Sequence, residues 1–296
     1  MSVKFHIDFP KNHKLKSETT SVNENGLSLK GDNNRLVILI HGLTGTPNEM
    51  KFLAHFLNKR SYSVICPRLA NHGQPLRVLK KTKWQEFYQS VRKTFAEIKE
   101  NPDLIFVAGL SMGALLALLL AEEFPGKIAG VSCLSPTLFY DGWNTPWSKC
   151  LLPLAYMTPI KHYFYFKEEP PYGIKNPQVR NLVHNYYSQA KLGDMSGIAQ
   201  YGYPYFPVTL LYQLHLLVKY LTKRLANIHT PVQVIQAQDD DMTSVKNAQF
   251  IYDRVASQNK QMVLLNNSYH VITADQERDK VAEELARFFE EISKDA

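Results

Sequence analysis

The 296-residue chain has only three cysteines, Cys66, Cys133 and Cys150, an odd number with no C-x-x-C spacing. Two of them lie in apolar, strand-like runs, where a thiol packs as a small hydrophobe, so neither a disulfide framework nor a thiolate metal site is indicated. The ten histidines include no H-x-x-x-H or H-E-x-x-H pair, and no metal or other cofactor is expected. No run of eighteen apolar residues occurs, and the opening MSVKFHIDFPKNHKLK has no apolar stretch long enough for a signal peptide; the expected compartment is therefore the cytoplasm. Repeats and low-complexity segments are also missing, which argues against a solenoid or a disordered chain. The formal charge of +7 is spread along the sequence with no nucleic-acid motif beside it, so nucleic acid is not expected as a partner. Oligomeric state is not legible at this level.

What is present is an alternation. LVILI (36–40), YSVICP (62–67), LIFVAGL (104–110), KIAGVSCL (127–134), PVQVIQAQ (231–238) and QMVLLNN (261–267) read as strands. Near-continuous apolar strands of this kind are expected where both faces of a parallel sheet are covered. Between them, 47–60, 84–100, 111–124, 243–256 and 275–292 carry helical spacing. The pattern predicts an α/β protein with a mostly parallel central sheet and helices on both faces.

The rhythm breaks between Ser135 and His229. The expected organisation is a core of residues 1–135 and 230–296 with an inserted, aromatic-rich helical lid at 136–229. Eighteen aromatic residues fall between Phe139 and Tyr220, more than half of all in the chain. A small lid needs large rings to build any core, and some of them would line an apolar pocket. Residues 136–229 include nine basic and four acidic residues. That balance suits weak association with an anionic membrane surface, but a solvated lid face is the safer explanation.

The chemistry-bearing motif is GLSMG at 109–113, which places Ser111 between a strand and an Ala/Leu-rich helix. A serine hydroxyl is a poor nucleophile until a base takes its proton. In a strand–G-x-S-x-G–helix setting the serine sits on a sharp turn at a helix N-terminus, where backbone N–H groups favour developing negative charge. The Met112 N–H would be one oxyanion donor. Leu43, in HGLTGTP after the first core strand, is placed to supply the other. The adjacent His41 is expected to fix this loop by hydrogen bonding, not to act as the base. Farther on, Asp239-Asp240-Asp241 and then His270 follow core strands, in the order nucleophile, acid, base.

HGLTGTP, GLSMG, QAQDDDM and SYHVIT together resemble the α/β-hydrolase fold, and most closely its small carboxylesterases and monoacylglycerol lipases. The resemblance spans about residues 30–293. It implies Ser111, Asp240 and His270 as the triad, with Leu43 and Met112 as backbone oxyanion donors, and it favours Asp240 over its two neighbours. Two positions depart from the family pattern, Ala114 in place of a frequent glycine and Asn71 where glycine is common. The expected activity is hydrolysis of small esters with an apolar acyl group, short to medium in chain or of monoacylglycerol type, through an acyl-enzyme. Acyl transfer, acyl-CoA thioester cleavage and a non-enzymatic ligand receptor are the alternatives.

Overall fold

The computed structural model describes residues 26–99, 101–188 and 202–295. Its central sheet has seven strands: β1 (Gly26–Leu29), β2 (Arg35–Ile40), β3 (Ser63–Pro67), β4 (Leu104–Leu110), β5 (Gly130–Leu134), β8 (Val232–Ala237) and β9 (Lys260–Leu265), in the spatial order β1-β3-β2-β4-β5-β8-β9. All neighbours are parallel except the edge pair β1–β3, in which Leu27 lies opposite Cys66. The two strands between β5 and β8, β6 (Tyr165–Lys167) and β7 (Tyr205–Pro207), form a separate antiparallel ribbon.

Alternate residues of the central strands feed two cores, as the pleat requires. On β2, Leu36, Ile38 and Ile40 face one core and Val37 and Leu39 face the other. The second core is closed by α1 (Lys51–Asn58), through Leu53 and Leu57, and by α9 (Arg278–Asp295), through Val281, Leu285, Phe288 and Phe289. The first core is closed by α3 (Trp84–Ala96), α4 (Met112–Glu123), α7 (Val208–Leu221) and α8 (Lys246–Arg254). Every residue of α4 from Met112 to Ala121 is buried. A helix apolar on all sides must be enclosed on all sides, and α4 packs against the sheet with α3 and α7 beside it.

The expected insertion at 136–229 divides into two kinds of structure. α7 belongs to the core, with Leu210, Leu214, Leu217 and Leu221 buried. The stretch that precedes it, with α5 (Leu152–Tyr156), β6 and α6 (Pro177–Ser188), is far more exposed, and no residue of α5 or α6 is buried. A short helix, α2 (Leu76–Leu79), was not visible as an element in the sequence. Tyr201, one of the aromatics noted above, and residues 1–25 of the expected core lie outside the described residues.

Candidate active site

Ser111 sits between the end of β4 and the first turn of α4 with φ 57° and ψ −117°. A non-glycine residue is rarely held at positive φ, and here the surroundings enforce it. A Cβ added to Gly109 would meet the Gly113 carbonyl oxygen at 2.1 Å, and one added to Gly113 would meet that of Ile40 at 2.2 Å. The turn can be this tight only because both flanking residues are glycine. The Ser111 N–H donates to the Leu134 carbonyl of the neighbouring strand at 2.8 Å, which ties the turn to the sheet.

His270 follows β9 and Asp240 follows β8, so both stand at the carboxyl edge of the sheet, as Ser111 does. The structure brings His270 and Asp240 together: Nδ1 of His270 lies 2.9 Å from one carboxylate oxygen of Asp240 and 3.1 Å from the other. Asp240 is buried and heavily supported. It accepts from the N–H groups of Met242 and Thr243, from the Thr243 hydroxyl, and from Gln236 Nε2 at 2.7 Å. Asp241 points elsewhere and accepts the backbone N–H of His270 at 3.3 Å and of Gly173 at 3.2 Å. Asp239 is exposed and pairs with Lys175 at 3.3 Å. Of the three consecutive aspartates, only Asp240 touches the imidazole.

Nε2 of His270 is buried and has no hydrogen-bond partner among the described residues. Ser111 Oγ is engaged instead by Thr137 Oγ1 at 2.9 Å. Burial alone would push the His270 pKa down, but the carboxylates of Asp240, Asp241 and Glu168 outweigh it and the net displacement is upward.

The loop after β2 is fixed from several directions. His41 Nε2 accepts the Leu69 N–H at 3.2 Å, so Nδ1 carries the proton and donates to the Gly42 carbonyl at 2.9 Å. Both ring nitrogens are thereby used, in the loop-fixing role that the sequence indicated. His72 Nε2 bonds the Leu43 carbonyl at 2.9 Å, and the Tyr203 N–H donates to the Thr44 carbonyl at 2.9 Å. Burial keeps both imidazoles below the ordinary histidine pKa, His72 at about 4, so they serve as neutral hydrogen-bonding groups. The N–H groups of Leu43 and Met112 have no acceptor among the described residues.

Sequence reasoning missed three groups that face this region. Glu49 accepts the Gly42 N–H at 3.1 Å, and its carboxylate fills the space beside Gly45, where an added Cβ would lie 2.0 Å from it. Glu168 comes just after β6 and is hydrogen bonded by Tyr187. A Cβ on Gly202 would lie 3.5 Å from the Tyr187 hydroxyl and 3.3 Å from the Thr44 carbonyl, so Tyr187 stands over the loop after β2. Burial raises Glu49 to about 7 and Glu168 to about 8, and both carboxyls lie within electrostatic range of His270. A lone glutamate in NEM or KEEP carries no local signal for such a role. Only the fold joins positions 49, 168, 187 and 270.

A parallel sheet wrapped on both faces, with a strained serine after one strand and an aspartate–histidine pair after later ones, defines an α/β-hydrolase. Residues 31–277 match the family model Hydrolase_4, described as serine aminopeptidase, S33, and the chain belongs to that family. It is a serine hydrolase resembling lipases and esterases. A thermostable monoacylglycerol lipase of Bacillus sp. (strain H-257) is 29% identical over 253 residues, 86% of this chain and 89% of the relative. A carboxylesterase of Bacillus subtilis (strain 168) is 26% identical over 264 residues, covering 87% and 93%. Among solved structures, one from work on LipS and LipT, two metagenome-derived lipolytic enzymes, superposes with a TM-score of 0.73 at 25% identity, over 90% of this chain and 96% of that one. Among the described residues no helix is long and apolar enough to cross a membrane, and no group of three or more His, Cys, Asp and Glu side chains could hold a metal ion.

Proposed function

We propose that the protein hydrolyses carboxylic esters of an apolar acyl group, of the monoacylglycerol type, by a Ser111–His270–Asp240 triad. The observation that carries this reading is the His270–Asp240 pair at 2.9 Å, with Nε2 of the same ring left unpartnered. Asp240 accepts a hydrogen bond from Nδ1–H, which keeps the proton on Nδ1 and leaves the Nε2 lone pair to act as base. As Ser111 Oγ attacks the ester carbonyl carbon, its proton passes to Nε2 and the carbonyl π pair moves onto oxygen. The N–H groups of Leu43 and Met112 receive that oxyanion. The tetrahedral intermediate collapses by breaking the bond to the leaving alkoxide, which takes the proton from Nε2 and departs as the alcohol. Water then attacks the acyl-enzyme with His270 again as base, and the carboxylic acid and free Ser111 result.

Glu168, Tyr187 and Glu49 support a polar leaving group. A carboxyl with a pKa of about 8 is mostly protonated at neutral pH and can both donate to and accept from a hydroxyl, as a phenol can. This suits an alcohol that carries further hydroxyls better than a plain alkyl alcohol. The test is an ester panel with one acyl chain and varied alcohols. Monoacylglycerol should exceed the corresponding ethyl ester in kcat/KM, and Glu168→Leu should remove most of that difference while leaving the ethyl ester unaffected. Hydrolysis of aminoacyl p-nitroanilides in preference to every ester would replace this reading with an aminopeptidase one, in which the same carboxyls hold an α-ammonium group.

A further inference from the structure

We infer that residues 143–164 dock the protein on an anionic lipid–water interface and hold the active site beside it. Two 3-10 turns and one short helix follow one another here, Trp147–Leu151, α5 and Pro159–His162, and none contains a buried residue. Their exposed side chains are large and apolar: Trp147 is 80% exposed, Leu154 65%, Met157 86% and Tyr163 77%. Leu151, Ile160, Phe164 and Trp143 are exposed beside them. Isolated surface apolar residues are ordinary, but a run of this density marks a binding surface.

Charge identifies the occupant. From Trp143 to Lys167 the chain has three lysines, Lys149, Lys161 and Lys167, and no aspartate or glutamate. Lys149 donates to the Thr145 hydroxyl and Lys161 to the Tyr156 carbonyl, and neither enters an ion pair among the described residues. Tryptophan, tyrosine and aliphatic residues next to uncompensated lysines match a membrane interface, where rings and methyls enter the acyl boundary and ammonium groups meet anionic headgroups. A second copy of this chain would bring the same positive charge against itself.

Both ends of the run are anchored at the active site. Trp143 donates through Nε1 to the Asp239 carbonyl at 2.9 Å and packs edge-on against Tyr269, with ring centroids 5.4 Å apart. These two partners immediately precede Asp240 and His270. At the other end β6 leads into Glu168, which lies within electrostatic range of His270. A surface that leaves the site and returns to it keeps the site close to whatever it binds.

The test is co-sedimentation of the full-length protein with vesicles of phosphatidylcholine alone or of equimolar phosphatidylcholine and phosphatidylglycerol. Binding is read as protein in the pellet, without turnover, so failure here and failure of the ester assignment are distinguishable. The protein is expected to bind the mixed vesicles about tenfold or more tightly than the neutral ones, with the difference shrinking as salt rises. The Trp147→Ser/Leu154→Ser/Met157→Ser triple variant should lose about tenfold or more of this binding. It should keep the wild-type melting midpoint and hydrolysis of a soluble short-chain ester to within about twofold, since these side chains are largely exposed. Lys149→Gln/Lys161→Gln should reduce the preference for anionic vesicles and leave neutral binding unchanged. Failure of the wild type to sediment with either vesicle, or equal binding by the triple variant, overturns the inference. A wild-type dimer that becomes monomeric in the triple variant, with no vesicle binding by either, overturns it in favour of a self-association surface.

Discussion

Ser111 Oγ and Thr137 Oγ1 lie 2.9 Å apart, so the hydroxyl on the strained turn is held by a threonine that follows β5 and not by the imidazole. If Ser111 is the nucleophile, that bond must break or be shared before attack. A neutral hydrogen bond contributes about 0.5–1.5 kcal/mol net. Thr137→Val should therefore raise the rate constant for acylation by a soluble activated ester by roughly two- to tenfold. Pre-steady-state bursts measure it directly. A fall in rate would mean that Thr137 positions Ser111 for attack.

The three adjacent aspartates separate by role. Asp240→Asn should cost about 10³–10⁴ in kcat, since the Met242 and Thr243 N–H groups hold the amide oxygen, the amide NH2 then faces Nδ1 and donates to it, and the ring takes the wrong tautomer. Asp241→Asn weakens the two backbone contacts at His270 and Gly173; about tenfold in kcat and a lower melting midpoint are expected. Asp239→Asn breaks one exposed ion pair and should leave both within experimental error. Steady-state kinetics with thermal melts on the three variants ranks them, and equal losses would contradict the assignment of Asp240.

His270 must be neutral to act as base. Its pKa is displaced upward by the neighbouring carboxylates despite burial, so kcat/KM should rise with pH and level off only above the ordinary histidine value of 6.5. Stability has the opposite trend. The protonated ring is favoured in the fold, so its contribution is complete below 6.5 and is lost as pH climbs through the raised value. A pH–rate profile flat across this window would exclude His270 as the base.

Glu49 makes a separate prediction about stability. Burial raises its pKa from 4.5 to about 7, so the folded state keeps a proton that the unfolded chain releases within that interval. Stability therefore falls as pH rises from 4.5 to about 7, and the penalty is complete beyond it. A shift of this size corresponds to a linkage value of roughly 3 kcal/mol. Glu49→Gln, which can still accept the Gly42 N–H, should be more stable than wild type by about that amount at pH 8 in urea titration. The gain should vanish near pH 4.5. A difference independent of pH would assign the effect to packing.

The central strands were readable because each residue there obeys one local rule: LVILI and LIFVAGL are apolar throughout since both sheet faces are covered. The turn at Ser111 was readable because it demands glycine at fixed offsets. β1 was not, since GLSL is short and forms one antiparallel edge. α7 lies in a segment that looked uniformly like a cover, yet its leucines pack on α4, a partner about a hundred residues away. The same limit hid Thr137, His72, Glu49, Glu168 and Tyr187. Each acts through a partner set by sheet order, and composition carries no trace of that order.

The central claim is that Ser111 becomes acylated with His270 as its base. A fluorophosphonate probe followed by intact mass and peptide mapping tests it most directly. One adduct should appear on Ser111 in the wild type, none on Ser111→Ala, and labelling of His270→Ala should be slower by about 10³-fold or more. An adduct on any other residue, or turnover of p-nitrophenyl esters by Ser111→Ala at the wild-type rate, would contradict the account.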